Sequence, residues 1–245
     1  SCYAWGRPYQ ELMMERLEEL KAFVRSRGAK ARITVDTGAV LEKQWALAAG
    51  LGWAGKHSLQ LDAEIGSWFY LGVLVTDAVL EPDEMAANLC GACTACIDAC
   101  PTGAIVDPYV VDSRKCISYL TIEKRGEIDD ALKGEMGNWL FGCDVCQQVC
   151  PVNAKAPTTS EPAFRPVESL AAPDPVALLR AKEGAFHSTG VARAKRAGLA
   201  RNAAIALGNA GRTDAIPALR EALKDRDAGV RDAARWALRR LGTRP

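Results

Sequence analysis

Apolar residues recur along residues 9–26 at Leu12, Leu17, Leu20 and Val24, with Glu, Lys and Arg between them. That spacing predicts an amphipathic helix with one buried face, closed by Gly28. Arg32-Ile33-Thr34-Val35-Asp36 then reads as a short strand that ends in an acid. A second helix is expected over roughly 39–49, around Trp45. Gly50, Gly52 and Gly55 punctuate the chain before two strand-like runs at 58–61 and 68–75. Helix, strand, helix and strands in that order predict part of an α/β layer.

The far end of the chain is patterned differently. Arg201-Asn202-Ala203-Ala204 returns 30 residues later as Arg231-Asp232-Ala233-Ala234, each in an Ala- and Leu-rich stretch. Small residues let helices stack closely, and the period fits HEAT-type helical repeats. Pro157, Pro162, Pro166, Pro173 and Pro175 mark the connection to them. Two such units seldom stand alone, so the tail is expected to pack on the segment before it.

With 245 residues, 49% of them apolar and 25% charged, the chain can bury a core. This composition excludes a disordered chain and a small disulfide scaffold. No run reaches about 18 apolar residues, so no membrane span is expected. Ser1 to Arg7 carries neither an initiator Met nor a secretory signal, which suggests a cytoplasmic protein whose own start lies upstream. Net charge divides the chain: residues 1–160 carry −6 and residues 161–245 carry +7, against +1 for the whole. A basic tail fits either a nucleic-acid surface or a solvated helical face.

Eight of the nine cysteines lie between 90 and 150. They read Cys90-x2-Cys93-x2-Cys96-x3-Cys100-Pro101, then Cys116, then Cys143-x2-Cys146-x3-Cys150-Pro151. The first run is the bacterial ferredoxin spacing, and the second repeats it with its first cysteine displaced to Cys116. Three thiolates of a short loop can wrap a 4Fe-4S cube, and in two-cluster ferredoxins the last cysteine of each run ligates the other cluster. The expected sets are Cys90, Cys93, Cys96 and Cys150 for one cluster, and Cys116, Cys143, Cys146 and Cys100 for the other. Disulfides would need an oxidising compartment. Zinc would use the Cys-x2-Cys pairs but leaves the two Cys-x3-Cys-Pro endings without a reason. Cys2 is left over as a free thiol.

Gly50-x4-Gly55-Lys56 nearly spells a phosphate loop, but His57 stands where Ser or Thr belongs and the run follows a helix rather than a strand. Nucleotide hydrolysis is therefore rejected. Asp36 is either a surface cap or an acid at a site. His57 and His187, each standing alone, read first as structural.

Together these residues resemble the epoxyqueuosine reductases, cobalamin-dependent iron–sulfur enzymes of tRNA modification. The resemblance rests on Val35-Asp36-Thr37 with Leu41-Glu42, Gly50-Leu51-Gly52-Trp53-x-Gly55-Lys56-His57-Ser58-Leu59, and Ser67-Trp68-Phe69. It continues through the run Cys-Pro-Thr-Gly-Ala-Ile at 100–105, Cys116-Ile117-Ser118-Tyr119-Leu120-Thr121 and Gly142-Cys143-Asp144-x-Cys146-Gln147. It implies an α+β fold in three parts: a partial α/β cobalamin-binding domain over 1–85, a two-cluster ferredoxin-like domain over 86–160, and HEAT-like helical repeats over 161–245. Electrons would pass from an external low-potential donor through two 4Fe-4S clusters to base-off cobalamin. The substrate would be epoxyqueuosine at the wobble position of tRNAs with GUN anticodons, the product queuosine, and the enzyme a monomer.

The same resemblance makes Asp36 the proton donor beside the corrin. A free Asp, with a pKa of roughly 3.9, is ionised at neutral pH, so that role calls for desolvation by the bound ring. Lys56, His57, Ser58 and Gln60 would lie near the corrin, and Ser118 and Tyr119 would link it to a cluster. Arg193, Lys195, Arg196 and Arg201 would meet tRNA phosphates. Pro8-Tyr9-Gln10 departs from the family's Asp-Tyr-His at that place. Two other classes share parts of the pattern: a reductive dehalogenase, which also joins corrin to two clusters, and a ferredoxin-type electron carrier docking through its tail.

Overall fold

The computed structural model of the chain describes residues 1–244. Helix α1 (Tyr9–Ser26) forms as the periodicity predicts and buries Leu12 and Leu17, whereas Leu20 is exposed. It lies against an antiparallel pair, β1 (Ala31–Thr34) and β4 (Val73–Thr76), with Ala31 opposite Thr76 and Thr34 opposite Val73. Helix α2 (Glu42–Ala48) starts later than the pattern suggests. Residues 36–41 stay outside it as a loop, entered through Asp36 at a left-handed φ of 60°. A second, very short antiparallel pair joins β2 (Trp53–Ala54) to β3 (Gln60–Leu61).

The strands are thus shorter than expected, and the sheets are two-stranded and antiparallel. The physical reason lies in the aromatics. Tyr70, in the expected strand 68–75 but ahead of β4, stacks on Tyr9 of α1 at 4.2 Å between ring centroids and leans on Phe164 at 5.4 Å.

The cysteine-rich segment is mostly loop with short elements: α3 (Ala95–Asp98), the pair β5 (Ile105–Asp107) and β6 (Val110–Val111), α4 (Ile117–Ile122), α5 (Asp130–Glu135) and α6 (Val145–Gln148). Two short helices, α7 (Glu168–Ala171) and α8 (Pro175–Leu179), lead to α9 (Lys195–Asn209), α10 (Ile216–Ala222) and α11 (Ala228–Arg240). Ala200, Ala203 and Ala204 of α9 and Ala233, Ala234 and Ala237 of α11 are buried in one apolar cluster. Gly208 gives α11 room: a Cβ there would lie 2.9 Å from the Ala237 Cα.

That cluster also contains Ile117, Leu120, Ile128 and Met136, so the tail does pack on the cysteine-rich segment. The repeated motif supplies polar anchors for the same contact. Asn202 Nδ2 donates to the carbonyls of Thr121 and Leu140 at 2.8 and 2.9 Å. Asp232 pairs with Lys133, which is fully buried between it and Asp130. The period-30 pattern therefore encodes attachment. Among the described residues no helix is long and apolar enough to cross a membrane.

Candidate active site and metal centre

One short wall, residues 50–61, contributes lining to two cavities. Glycine makes the wall possible. Gly52 has φ +84°, and a Cβ on it would sit 1.8 Å from the Leu61 carbonyl oxygen. Strand alternation then sends neighbours to opposite faces. Gln60 lines the first cavity and Leu61 the second, and both are buried.

The first cavity, of about 200 Å³, is lined by Asp36, Tyr9, Glu42, Lys43, Gln60 and Tyr70, among others. Asp36 is exposed at it. The Tyr9 hydroxyl donates to Asp36 Oδ2 at 2.9 Å and the Gln10 amide to the same oxygen at 3.4 Å. Both hydrogen bonds fall on Oδ2 and leave Oδ1 free of these two donors. Burial, followed by the hydrogen bond to Asp36, pushes the Tyr9 hydroxyl well above the usual tyrosine range, so Tyr9 remains a donor. Burial pulls the Lys43 ammonium below its ordinary value, and Nζ donates to the Ser58 carbonyl at 3.0 Å. Gln60 Oε1 and Glu42 Oε1 are buried acceptors without a partner. Buried acceptors of this kind await donors, and the amide-bearing rim of a corrin presents such donors.

The second cavity is lined by Cys90, Cys93, Cys96 and Cys150, with His57, Leu61, Leu89 and Val152. These four sulfurs are one of the expected sets. Burial pushes the Cys96 thiol up, and Cys150, Cys90 and Cys93 add to the rise. In the other expected set, burial, with Cys116 and Cys100 adding to the rise, pushes Cys143 up to about 11. The Cys146 thiol, up to about 12, feels Cys143, Cys116 and Cys100, and Cys96 of the first set as well. All nine cysteines are free. Among the described residues no three His, Cys, Asp or Glu side chains close on a single metal ion, as a tetrahedral zinc site would require.

The remaining sequence candidates separate. Lys56 is not at the Asp36 cavity: its ammonium donates to the carbonyls of Gly91 and Cys93, at 2.8 and 2.9 Å, and clamps the first cysteine loop. His57 lines the cysteine cavity instead of the Asp36 cavity, with its pKa pushed down to about 4 by burial and then by Lys43. Ser58 has a left-handed φ of 64° and gives its carbonyl to Lys43. Ser118 and Tyr119 follow Cys116 on α4 and do not line the Asp36 cavity.

Two of the four expected phosphate contacts are corrected. Arg201 is 2% exposed, with its guanidinium spent on backbone carbonyls. Arg196 is held in a two-pronged pair with Asp225 at 2.6 and 2.7 Å. Helix packing decided both, and the charge count could not see it. Arg193 and Lys195 are exposed, and Arg193 pairs with Glu123 while standing near enough to Asp36 to feel its charge. Tyr9, Glu42, Lys43 and Tyr70 are site residues that the sequence reading missed. The departure at Pro8-Tyr9-Gln10 pointed to Tyr9, and the Leu41-Glu42 motif to Glu42.

A family described as a 4Fe-4S double cluster binding domain matches residues 89–153, and HEAT repeats match residues 191–245. The epoxyqueuosine reductase of Xanthomonas campestris pv. campestris is 41% identical over 251 residues, covering 98% of this chain and 70% of that protein. That of Shigella dysenteriae serotype 1 is 41% identical over 244 residues, and this chain spans 64% of its length. A crystal structure of epoxyqueuosine reductase with a tRNA-Tyr epoxyqueuosine-modified tRNA stem loop aligns at TM-score 0.94 and 33% identity, over 98% of this chain and 66% of that one. The Bacillus subtilis epoxyqueuosine reductase, in a structure described with its aspartate catalytic loop swung out of the active site, aligns at TM-score 0.92 and 32% identity, over 98% of this chain and 65% of that one.

Proposed function

Because this chain belongs to the epoxyqueuosine reductase family, we propose that it carries the cluster and proton-donor parts of an enzyme that reduces epoxyqueuosine in tRNA to queuosine. The observation that carries this reading is the shared wall. The adjacent residues Gln60 and Leu61 line an Asp36 cavity and a four-cysteine cavity respectively.

Removing an epoxide oxygen as water consumes two electrons and two protons, and an alkene remains. The two cysteine sets would hold two 4Fe-4S clusters, which would supply one-electron transfer from an external low-potential donor. Gln60, Glu42 and Lys43 would hold a corrin at the Asp36 cavity. Bound cobalamin supplies the strong reductant that the C–O bond demands. Asp36 donates a proton to the departing oxygen from Oδ1, while Tyr9 and Gln10 fix the carboxyl through Oδ2. Orienting the acid before reaction removes a cost from the barrier. Ser118 and Tyr119, next to Cys116, lie on the route between the second cluster and the substrate. A catalytic loop named for an aspartate in the Bacillus subtilis relative supports the choice of Asp36, which stands on a loop here.

The partner is tRNA, as the stem-loop complex of the relative suggests. Arg193 and Lys195 are its phosphate contacts, placed so that RNA crossing Arg193 reaches Asp36. Replacing both with Ala is expected to weaken binding of a stem loop and to lower the slope of log K against log salt by about 1 per residue. An unchanged slope in a salt titration would move the RNA surface elsewhere.

Iron counting checks the cluster reading. The reconstituted chain is expected to hold about eight irons, and Cys116→Ala or Cys90→Ala about four. Turnover tests the whole. The chain is loaded anaerobically with iron, sulfide and cobalamin, given a strong reductant and epoxyqueuosine-containing tRNA, and its nucleosides are weighed. Queuosine is the expected product. Bound corrin without conversion would favour another substrate, such as an organohalide. Clusters without corrin would favour an electron carrier.

A further inference from the structure

We propose that His57 donates a hydrogen bond from Nε2 to a sulfur of the cluster held by Cys90, Cys93, Cys96 and Cys150, and so raises that cluster's reduction potential. The inference rests on the cluster reading above and names a residue that tunes it.

His57 is 4% exposed. Its Nδ1 accepts from the Leu59 backbone N–H at 3.1 Å. A ring whose Nδ1 is an acceptor carries its proton on Nε2. That Nε2 is buried and has no partner. A buried N–H without an acceptor is costly and rarely persists. The ring lines the four-cysteine cavity, where the other non-sulfur side chains include Leu61, Leu89 and Val152, which accept nothing. Besides the ring itself, the lining side chains that can accept are the cysteine sulfurs.

The backbone fixes the ring there. Gly55 has no Cβ, and one built on it would lie 2.6 Å from the His57 Cε1. The Gly55 carbonyl accepts from Ser58 N at 2.8 Å and closes the tight turn that carries the ring. Lys56, the next residue, clamps the opposite side of the cavity through Gly91 and Cys93. The Lys56-His57 pair thus grips one cluster, and its roles divide: Lys56 holds the loop, and His57 addresses the sulfur.

Reduction adds an electron whose charge spreads over the cluster sulfurs. A donor aimed at one of them stabilises the reduced form more than the oxidised form, so the potential rises.

The test uses the whole chain with clusters reconstituted, in three forms: unaltered, His57→Phe and His57→Gln. Midpoints are read by reductive titration with electron paramagnetic resonance. Proton couplings to the reduced clusters are compared in H2O and D2O. The unaltered chain is expected to show two reduction steps and an exchangeable proton coupled to one cluster. His57→Phe should move one midpoint lower, leave the other in place and lose that coupling. His57→Gln, which keeps an N–H donor, should recover part of both. Normal iron content with both midpoints unmoved in His57→Phe would overturn the proposal. So would the absence of any exchangeable coupling in the unaltered chain, a result that needs no variant to fold. Failure of the unaltered chain to take up clusters is a distinct outcome, read as iron content, and overturns the cluster reading itself.

Discussion

Asp36→Asn is expected to lower the rate of epoxide reduction by about 10²–10⁴-fold, the usual worth of a positioned general acid, while iron and corrin contents stay normal. The amide keeps the size of the carboxyl. It still accepts from Tyr9 and Gln10 through its oxygen, so the loop is not expected to move. What it lacks is an acidic proton to transfer. Tyr9→Phe separates positioning from donation: it removes one hydrogen bond to Oδ2 and should cost far less than Asp36→Asn. Single-turnover rates on loaded enzyme measure both. An Asp36→Asn variant that turns over at the normal rate would leave Asp36 with no part in the chemistry.

Arg201→Ala is expected to destabilise the chain by about 3–5 kcal/mol, in the range of broken buried networks. For a domain of this size that corresponds to a melting point lower by roughly 6–20 °C. Arg201 Nη1 donates to the carbonyls of Lys124 and Gly126 at 2.8 and 2.9 Å, and Nη2 to that of Leu120 at 2.5 Å. Leu120 lies in α4, whose N-cap is the ligand Cys116, and the other two carbonyls follow that helix. Terminal helix carbonyls have no partner within their own helix. The tail arginine supplies one, at the price of a guanidinium that burial pushes down to about 10. Arg201→Lys should not rescue it, because an ammonium lacks the planar fork that spans several acceptors. Arg193→Ala, at the surface, should change stability by less than about 0.5 kcal/mol. Anaerobic thermal melts of the three variants test this. Equal melting points for Arg201→Ala and the unaltered chain would remove Arg201 as the pin of the Cys116 helix.

The two arginines show where sequence reading stops. Arg193 and Arg201 look alike in a charge count, yet one is exposed and the other buried. On a helix the same side chain faces solvent or carbonyls according to what packs there. Lys56 and His57 were similarly placed at the cofactor by resemblance, while the turn at Gly55 aims them at the cysteine loop.

By itself the sequence determined helix α1, the helical tail and its attachment, and the eight-cysteine pattern of a 4Fe-4S double cluster binding domain. Those features are local: periodicity follows from backbone geometry, and ligand spacing follows from the reach of a short loop around a cube. Only the tertiary structure decided which polar residues work together. Tyr9, Asp36, Lys43 and Gln60 come from four separate segments: α1, the loop after β1, α2 and β3. They meet because Tyr70, ahead of β4, stacks on Tyr9 of α1 and because Gly52 lets β3 approach. Contacts of that kind depend on shape and burial, which no spacing along the chain records.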